Sequence, residues 1–251
     1  MKNINHLSPG FEFPETVIQV SEEEQRHKLS CCDIDGSIYG NEVDITMLGL
    51  PTLEILMAAD VPVLGAVHLF QKFHQHSPFV LGEAIIVNGK IREVLPHERG
   101  CILSCEFRYT DPMGNVRVEA QRSGIVPVGA KAKSHENFRP SEQLDGFLER
   151  NRYLLNPKKV ADFSSEAGNL IHSDPKVAKQ HGFRAPIAAG LMGLHFYRKF
   201  IGENFETKSF YSGYHTHPTK LGLDKGWGRL LAILSNYQNL LLGYLGKHTL
   251  C

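Results

Sequence analysis

Several classes of function are excluded by what this 251-residue chain does not contain. It has no basic surplus: Lys and Arg total 27 and so do Asp and Glu, which leaves no electrostatic footprint for nucleic acid. No apolar run reaches the ~18 residues that a spanning helix needs, so stable membrane insertion is not expected. The opening residues, MKNINHLSPGFEFPE, lack the apolar core of a secretion signal. The five cysteines (Cys31, Cys32, Cys101, Cys105 and Cys251) are odd in number and have no metal-finger spacing. A reducing cytoplasm is therefore the expected compartment, with Cys101 and Cys105 as small core residues. Ser164, Ser165 and Ser212 have no nucleophile-elbow context, which argues against serine catalysis. No strong internal repeat is visible.

What is present is a globular chain, 42% hydrophobic, long enough for one large or two ordinary domains. Residues 1–27 are polar and acidic and read as a surface arm or short helix. Lys28 to Thr46 reads as one or two extended segments broken by Gly36 and Gly40. Leu50 to Asp60 has Pro51 at a first-turn position and Leu53, Leu56 and Met57 at helical spacing. Val67 to Gly129 is the clearest β region. Val67, Leu69 and Gln71 share one strand face, and Asn88-Gly89 marks a tight turn or bulge in a long strand. Cys101, Leu103, Cys105, Phe107 and Tyr109 alternate with Ile102, Ser104, Glu106, Arg108 and Thr110, and the chain returns after Asp111–Asn115 with the same period of two. Residues 129–143 are polar with little periodicity and read as a linker. Leu144 to Leu154 reads as a short helix.

The richest stretch is ADFSSEAGNLIHSDPKVAKQHGFRAPIAAGLMGLHFYRKF, residues 161–200. Ser173, Asp174 and Pro175 supply a helix cap, and Gly182 stops the short helix that follows. Pro186 is expected to open a second helix, apolar on nearly every side and therefore buried. A histidine, His172, lies just upstream of that glycine-bearing helix start, where backbone N–H groups and the helix dipole could hold an oxyanion.

This stretch resembles the MaoC-like family, the (R)-specific enoyl-CoA hydratases and (3R)-hydroxyacyl-thioester dehydratases of the hotdog fold. The family pattern reads G-D-x-N-P-x-H-x-D, then A-x-x-x-G-F, then P-I-x-x-G-M. Asn169, His172, Asp174, Ala178, Gly182, Phe183, Pro186, Ile187 and Gly190 fall in register with it. The resemblance implies an α+β double hotdog: a unit over residues 1–128, the linker 129–143, and a second, incomplete unit over residues 144–251 that carries the motif. It implies reversible hydration of trans-2-enoyl thioesters to (R)-3-hydroxyacyl thioesters, with no cofactor and no metal. His172 would be the base. Asn169 would shape the site, and backbone around Ala189 and Gly190 would hold the thioester oxygen. The acyl chain would run beside Leu191, Met192 and Phe196, on acyl-CoA or an acyl-carrier-protein arm. The family's catalytic Asp, five residues before the His, is Ala167 here, and its Pro two before the His is Leu170. Glu166 is the nearest acid on that side, with Asp174 read as a cap. Loss of the Asp keeps two rivals open: a non-catalytic thioester binder or scaffold, and a thioesterase.

The end of the chain fits a hotdog less well. Residues 208–219 have room for one strand, but Trp227, Leu230, Leu231, Leu234, Leu241, Tyr244 and Leu245 recur at helical spacing, predicting one or two helices. An incomplete sheet would leave an open edge, making a homodimer one expected assembly. His74 and His76, like His215 and His217, place two imidazoles on one strand face. With no third ligand at recognisable spacing, they read as edge or loop histidines.

Overall fold

A computed structural model of the chain describes residues 7–127, 153–165, 168–204, 211–215, 227–228, 232–234 and 240–242. The linker 129–143 and the boundaries drawn at it lie outside the described residues. The first element is a short strand, β1 (Thr16–Ile18), followed by helix α1 (Glu22–Cys31). Ser21 caps α1 through Glu24 N, and three glutamates occupy its positive first turn. Those signals carry the helix past residue 27 into a stretch expected to be extended. Residues 36–39 and 45–49 are 3-10 turns, again against expectation, because Asp35 and Asp44 accept from Ser37 N and Thr46 N. Such local side-chain bonds compete with strand pairing. Helix α2 (Pro51–Ala58) begins at its proline as expected, but it buries Thr52, Ile55 and Leu56 and leaves Met57 44% exposed.

Four long strands follow: β2 (Val67–Gln75), β3 (Ile85–His97), β4 (Gly100–Thr110) and β5 (Val116–Pro127). A bulge between His68 and Phe70 shifts the β2 register, so Phe73 joins the main core while Val67, with Leu69 packed against it, belongs to a separate cluster and Gln71 is buried. Asn88-Gly89 is not a turn. It lies inside β3 because a Cβ at Gly89 would meet the Phe107 ring at 2.4 Å, and only glycine admits that ring, which stacks on Phe13 at 5.7 Å. The bulge in β3 comes later, between Ile91 and Glu93. On β4 the alternation is as read, with Cys101, Leu103, Cys105, Phe107 and Tyr109 all buried.

The remaining elements are β6 (Tyr153–Leu154), α3 (Pro157–Phe163), α4 (Pro175–Gln180), α5 (Gly190–Asn204), β7 (Tyr211–His215), β8 (Trp227–Gly228), β9 (Ala232–Leu234) and β10 (Leu240–Leu242). Of the helix expected at 144–154 the described residues are 153–154, which are strand; of the expected C-terminal helices Trp227, Leu234 and Leu241 lie on strands, and the rest lies outside the described residues. Short leucine runs satisfy either period, and an unpaired β7 edge favours pairing. One sheet results, ordered β1-β3-β4-β5-β2-β7-β10-β9, antiparallel except for β10 on β7, with β6 and β8 paired separately. This sheet around buried helices is a hotdog architecture. Leu191 of α5 sits against Gly49, whose Cβ would meet it at 2.7 Å, and near Phe73.

Three polar side chains are buried where α1, the 45–49 turn and α5 meet: Lys28, Asp44 and His195. The Lys28 ammonium donates to the Phe163 carbonyl and lies 5.0 Å from the centre of that ring. His195 bonds Leu191 O at 3.1 Å and meets Phe163 edge-on. Truncating a partner in such a cluster strands the others in a low dielectric. Lys28→Ala is expected to cost about 3 kcal/mol in urea-unfolding free energy, whereas Lys158→Ala, an exposed pair with Asp162, should move it by well under ~1 kcal/mol.

Candidate functional site

The His172 segment is built by short-range signals. Gly168 has φ +61°, and residues 170–172 make a single 3-10 turn. Asp174 accepts from Lys176 N at 2.7 Å and Val177 N at 3.2 Å, capping α4 ahead of Pro175 as read. Gly182, at φ +81°, turns the chain out of α4, and Phe183 N closes on Ala178 O at 2.9 Å. Ile171, Ala178, Phe183 and Ile187 form a small apolar cluster with Val67 and Ile125 of the sheet. That cluster sets the turn on β2 and β5.

Two bonds then fix His172. Ile187 N donates to Ile171 O at 3.2 Å, and His172 Nδ1 donates to Ile187 O at 2.8 Å. A carbonyl can only accept, so Nδ1 carries the proton and Nε2 keeps its lone pair. Burial holds the imidazole below its ordinary pKa, with the Ile187 bond opposing. His172 is thus a neutral ring poised to accept a proton at Nε2. Because Ile187 is tied to Ile171, the backbone stays non-helical beyond Pro186, and α5 starts at Gly190. Gly190 is the first residue of the helix and not one embedded within it. At that end the leading N–H groups have no intrahelical partner.

Asn169 Oδ1 accepts from Gly65 N at 3.3 Å, tying the turn to the loop before β2. Gly65 has φ +79°, and a Cβ there would run into His181 at 2.1 Å. Arg99 donates to His181 O at 3.2 Å and stacks 4.9 Å over Phe183. The structure brings His172, Asn169, Ala189 and Gly190 into one continuous stretch of clamped chain. Leu191, Met192 and Phe196 are buried in the main hydrophobic core, and Ala189 packs partly buried against it. Glu166 and Ala167 lie outside the described residues.

A second polar grouping was not legible in the sequence. Arg122 of β5 is 7% exposed, donates to Thr52 Oγ1 of α2, and has no carboxylate partner among the described residues. Gln71 lies opposite it on β2, and the buried His68 imidazole lies beside both. Burial, then the Arg122 charge, push the His68 imidazole down to about 3. The only sequence signal was a Gln and an Arg at inward positions of otherwise apolar strands.

No family model matches the chain, and no curated protein matches it in sequence. Solved structures do match. HtdX from Mycobacterium tuberculosis superposes with a TM-score of 0.69 at 18% identity, over 88% of this chain and 90% of that one. A MaoC-like dehydratase from Phytophthora capsici gives 0.62 at 14%, over 92% and 93%. The chain has the fold of the MaoC-like dehydratases. The full-length peroxisomal multifunctional enzyme type 2 of Drosophila melanogaster gives 0.55 at 21%, where 77% of this chain covers 37% of that one. In this MaoC-like fold the His172 turn and the start of α5 are adjacent by construction, through Ile187.

Two outcomes follow from the clamp and the buried imidazoles. Asn169→Ala should lower unfolding free energy by about 1 kcal/mol and speed amide exchange at residues 170–172. His68 titrates near 6.5 unfolded and at about 3 folded, so the unfolded chain binds the extra proton between those values. Its contribution is complete above pH 6.5 and is lost as pH falls toward 3. The urea midpoint should drop over that window, and His68→Leu should flatten the drop.

Proposed function

We propose that the chain acts on acyl thioesters, interconverting trans-2-enoyl and (R)-3-hydroxyacyl forms, with His172 as the proton acceptor. The observation that carries this reading is the His172 Nδ1–H bond to Ile187 O, which fixes the tautomer three residues before the start of α5. In hydration, Nε2 takes a proton from water as oxygen attacks C3 of the enoyl group. The developing enolate oxygen is held by N–H groups at Ala189–Gly190, where the helix dipole favours negative charge. A proton delivered to C2 completes the product, and dehydration is the reverse. Asn169 shapes the site by positioning the turn through Gly65.

Glu166 is proposed as the acid that shares the proton traffic, in place of the family Asp at Ala167. The proposed organisation is two hotdog units, residues 1–128 and 144–251. The thioester handle is coenzyme A or a carrier-protein arm. A homodimer is the proposed assembly, and no metal takes part in the hydration. Two observations favour a second reading. Ala167 removes the acid the family places beside its histidine, and Leu191, Met192 and Phe196 are committed to core packing; both suit a thioester-binding protein without turnover.

Loss of enoyl absorbance with crotonyl-CoA and longer enoyl-CoAs, then with carrier-protein thioesters, separates the two. For the enzyme, His172→Ala should reduce kcat/KM by roughly 10²–10⁴-fold, Glu166→Ala should follow it, and activity should persist as pH falls below the ordinary imidazole value of 6.5. Thioester binding without turnover on either carrier would establish the binder.

A further inference from the structure

The outer face of the sheet carries a side-chain cluster that the proposed chemistry does not use. His74 lies on β2 and His76 just past its end, where His76 N donates to Arg117 O at 2.8 Å. Glu119 of β5 lies directly opposite His74 in the β2–β5 register. A third ligand is therefore delivered from 43 residues downstream, which is why no local spacing announced it. The imidazole centroids of His74 and His76 are 4.3 Å apart, and His76 Nε2 is 3.4 Å from Glu119 Oε2. One donor atom from each of the three residues lies within 4.8 Å of the other two.

We infer that His74, His76 and Glu119 form a binding site for a divalent transition metal, with zinc as the preferred ion. The donor set is two imidazoles and one carboxylate, which suits zinc, cobalt or nickel and disfavours magnesium and calcium, whose ligands are oxygen. A tetrahedral zinc with bonds near 2.0–2.1 Å holds its donors about 3.4 Å apart. The three side chains are exposed enough to close that gap by small rotations about χ angles, while His74 and Glu119 are held in the ladder and His76 by its N–H bond to Arg117 O. Three protein ligands leave a fourth position open. His74 and Glu119 also line a cavity of about 130 Å³ together with Lys72, Glu106 and Arg108. Arg108 Nε lies 3.6 Å from Glu119 Oε1 and steadies one carboxylate oxygen, leaving Oε2 on the imidazole side.

The test is titration of the full chain with zinc chloride by calorimetry, and with cobalt(II) followed by visible absorption. One ion per chain is expected. The cobalt complex should show the intense visible bands of a four- or five-coordinate ion, and EDTA should reverse them. His74→Ala, His76→Ala and Glu119→Gln should each weaken zinc by at least roughly tenfold. Tm without metal should be unchanged in these variants, which separates loss of ligands from loss of fold. His97→Ala, on another strand, should leave the affinity as it is. Saturation unchanged in the three variants, or only weak octahedral-type cobalt absorption, would overturn the site.

Discussion

Everything proposed for the active side of this molecule depends on Ile187. Its N–H is given to Ile171 and its carbonyl receives the His172 ring. One residue thereby does three things. It holds the 170–172 turn against the start of α5, selects the imidazole tautomer, and delays the helix until Gly190. Its side chain is buried with Ile171 and Phe183, so the two hydrogen bonds are shielded from water and correspondingly firm. A Pro-initiated helix would have carried the Ile187 carbonyl into its own bonding and left His172 without an acceptor.

The interior pays for its shape with polar groups in unusual places. Lys28, Asp44 and His195 fill the junction of α1, the 45–49 turn and α5, and Arg122 lies under α2 with Thr52 as its acceptor. Buried ions are costly, and they add more to uniqueness than to stability when their bonds are made. Lys28 reaches across 135 residues to the Phe163 carbonyl and so ties α3 to α1.

Much of the candidate site was legible because it is written locally. The Asp174–Pro175 cap, the Gly182 stop and the His172 position each depend on neighbours within a few residues. Strands β4 and β5 were legible from period-two alternation, whereas bulges broke that period in β2 and β3. What stayed hidden was non-local. The start of α5 was misplaced because Ile187 is captured by Ile171 across the turn. The 28–46 stretch was misread because its aspartates bond their own backbone. Gly89 looked like punctuation, yet it exists for the Phe107 ring on the neighbouring strand. The C-terminal leucines carried a helical spacing that the free edge of β7 overrode. His74 and His76 looked incomplete because their third companion lies on another strand.

The cysteines described here are all reduced and buried: Cys31, Cys32, Cys101 and Cys105. Desolvation pushes the Cys105 thiol up to about 12 and the Cys32 thiol higher still. Since the thiolate is the reactive form, these sulfurs are shielded twice, by access and by protonation. A maleimide or a disulfide reagent would thus meet them only when the chain opens. Cys101 and Cys105 sit on β4 in mid-sheet, while Cys31 and Cys32 sit at the end of α1, so labelling kinetics at the two pairs would time the opening of two different parts of the fold. The protein carries its own clocks for local unfolding.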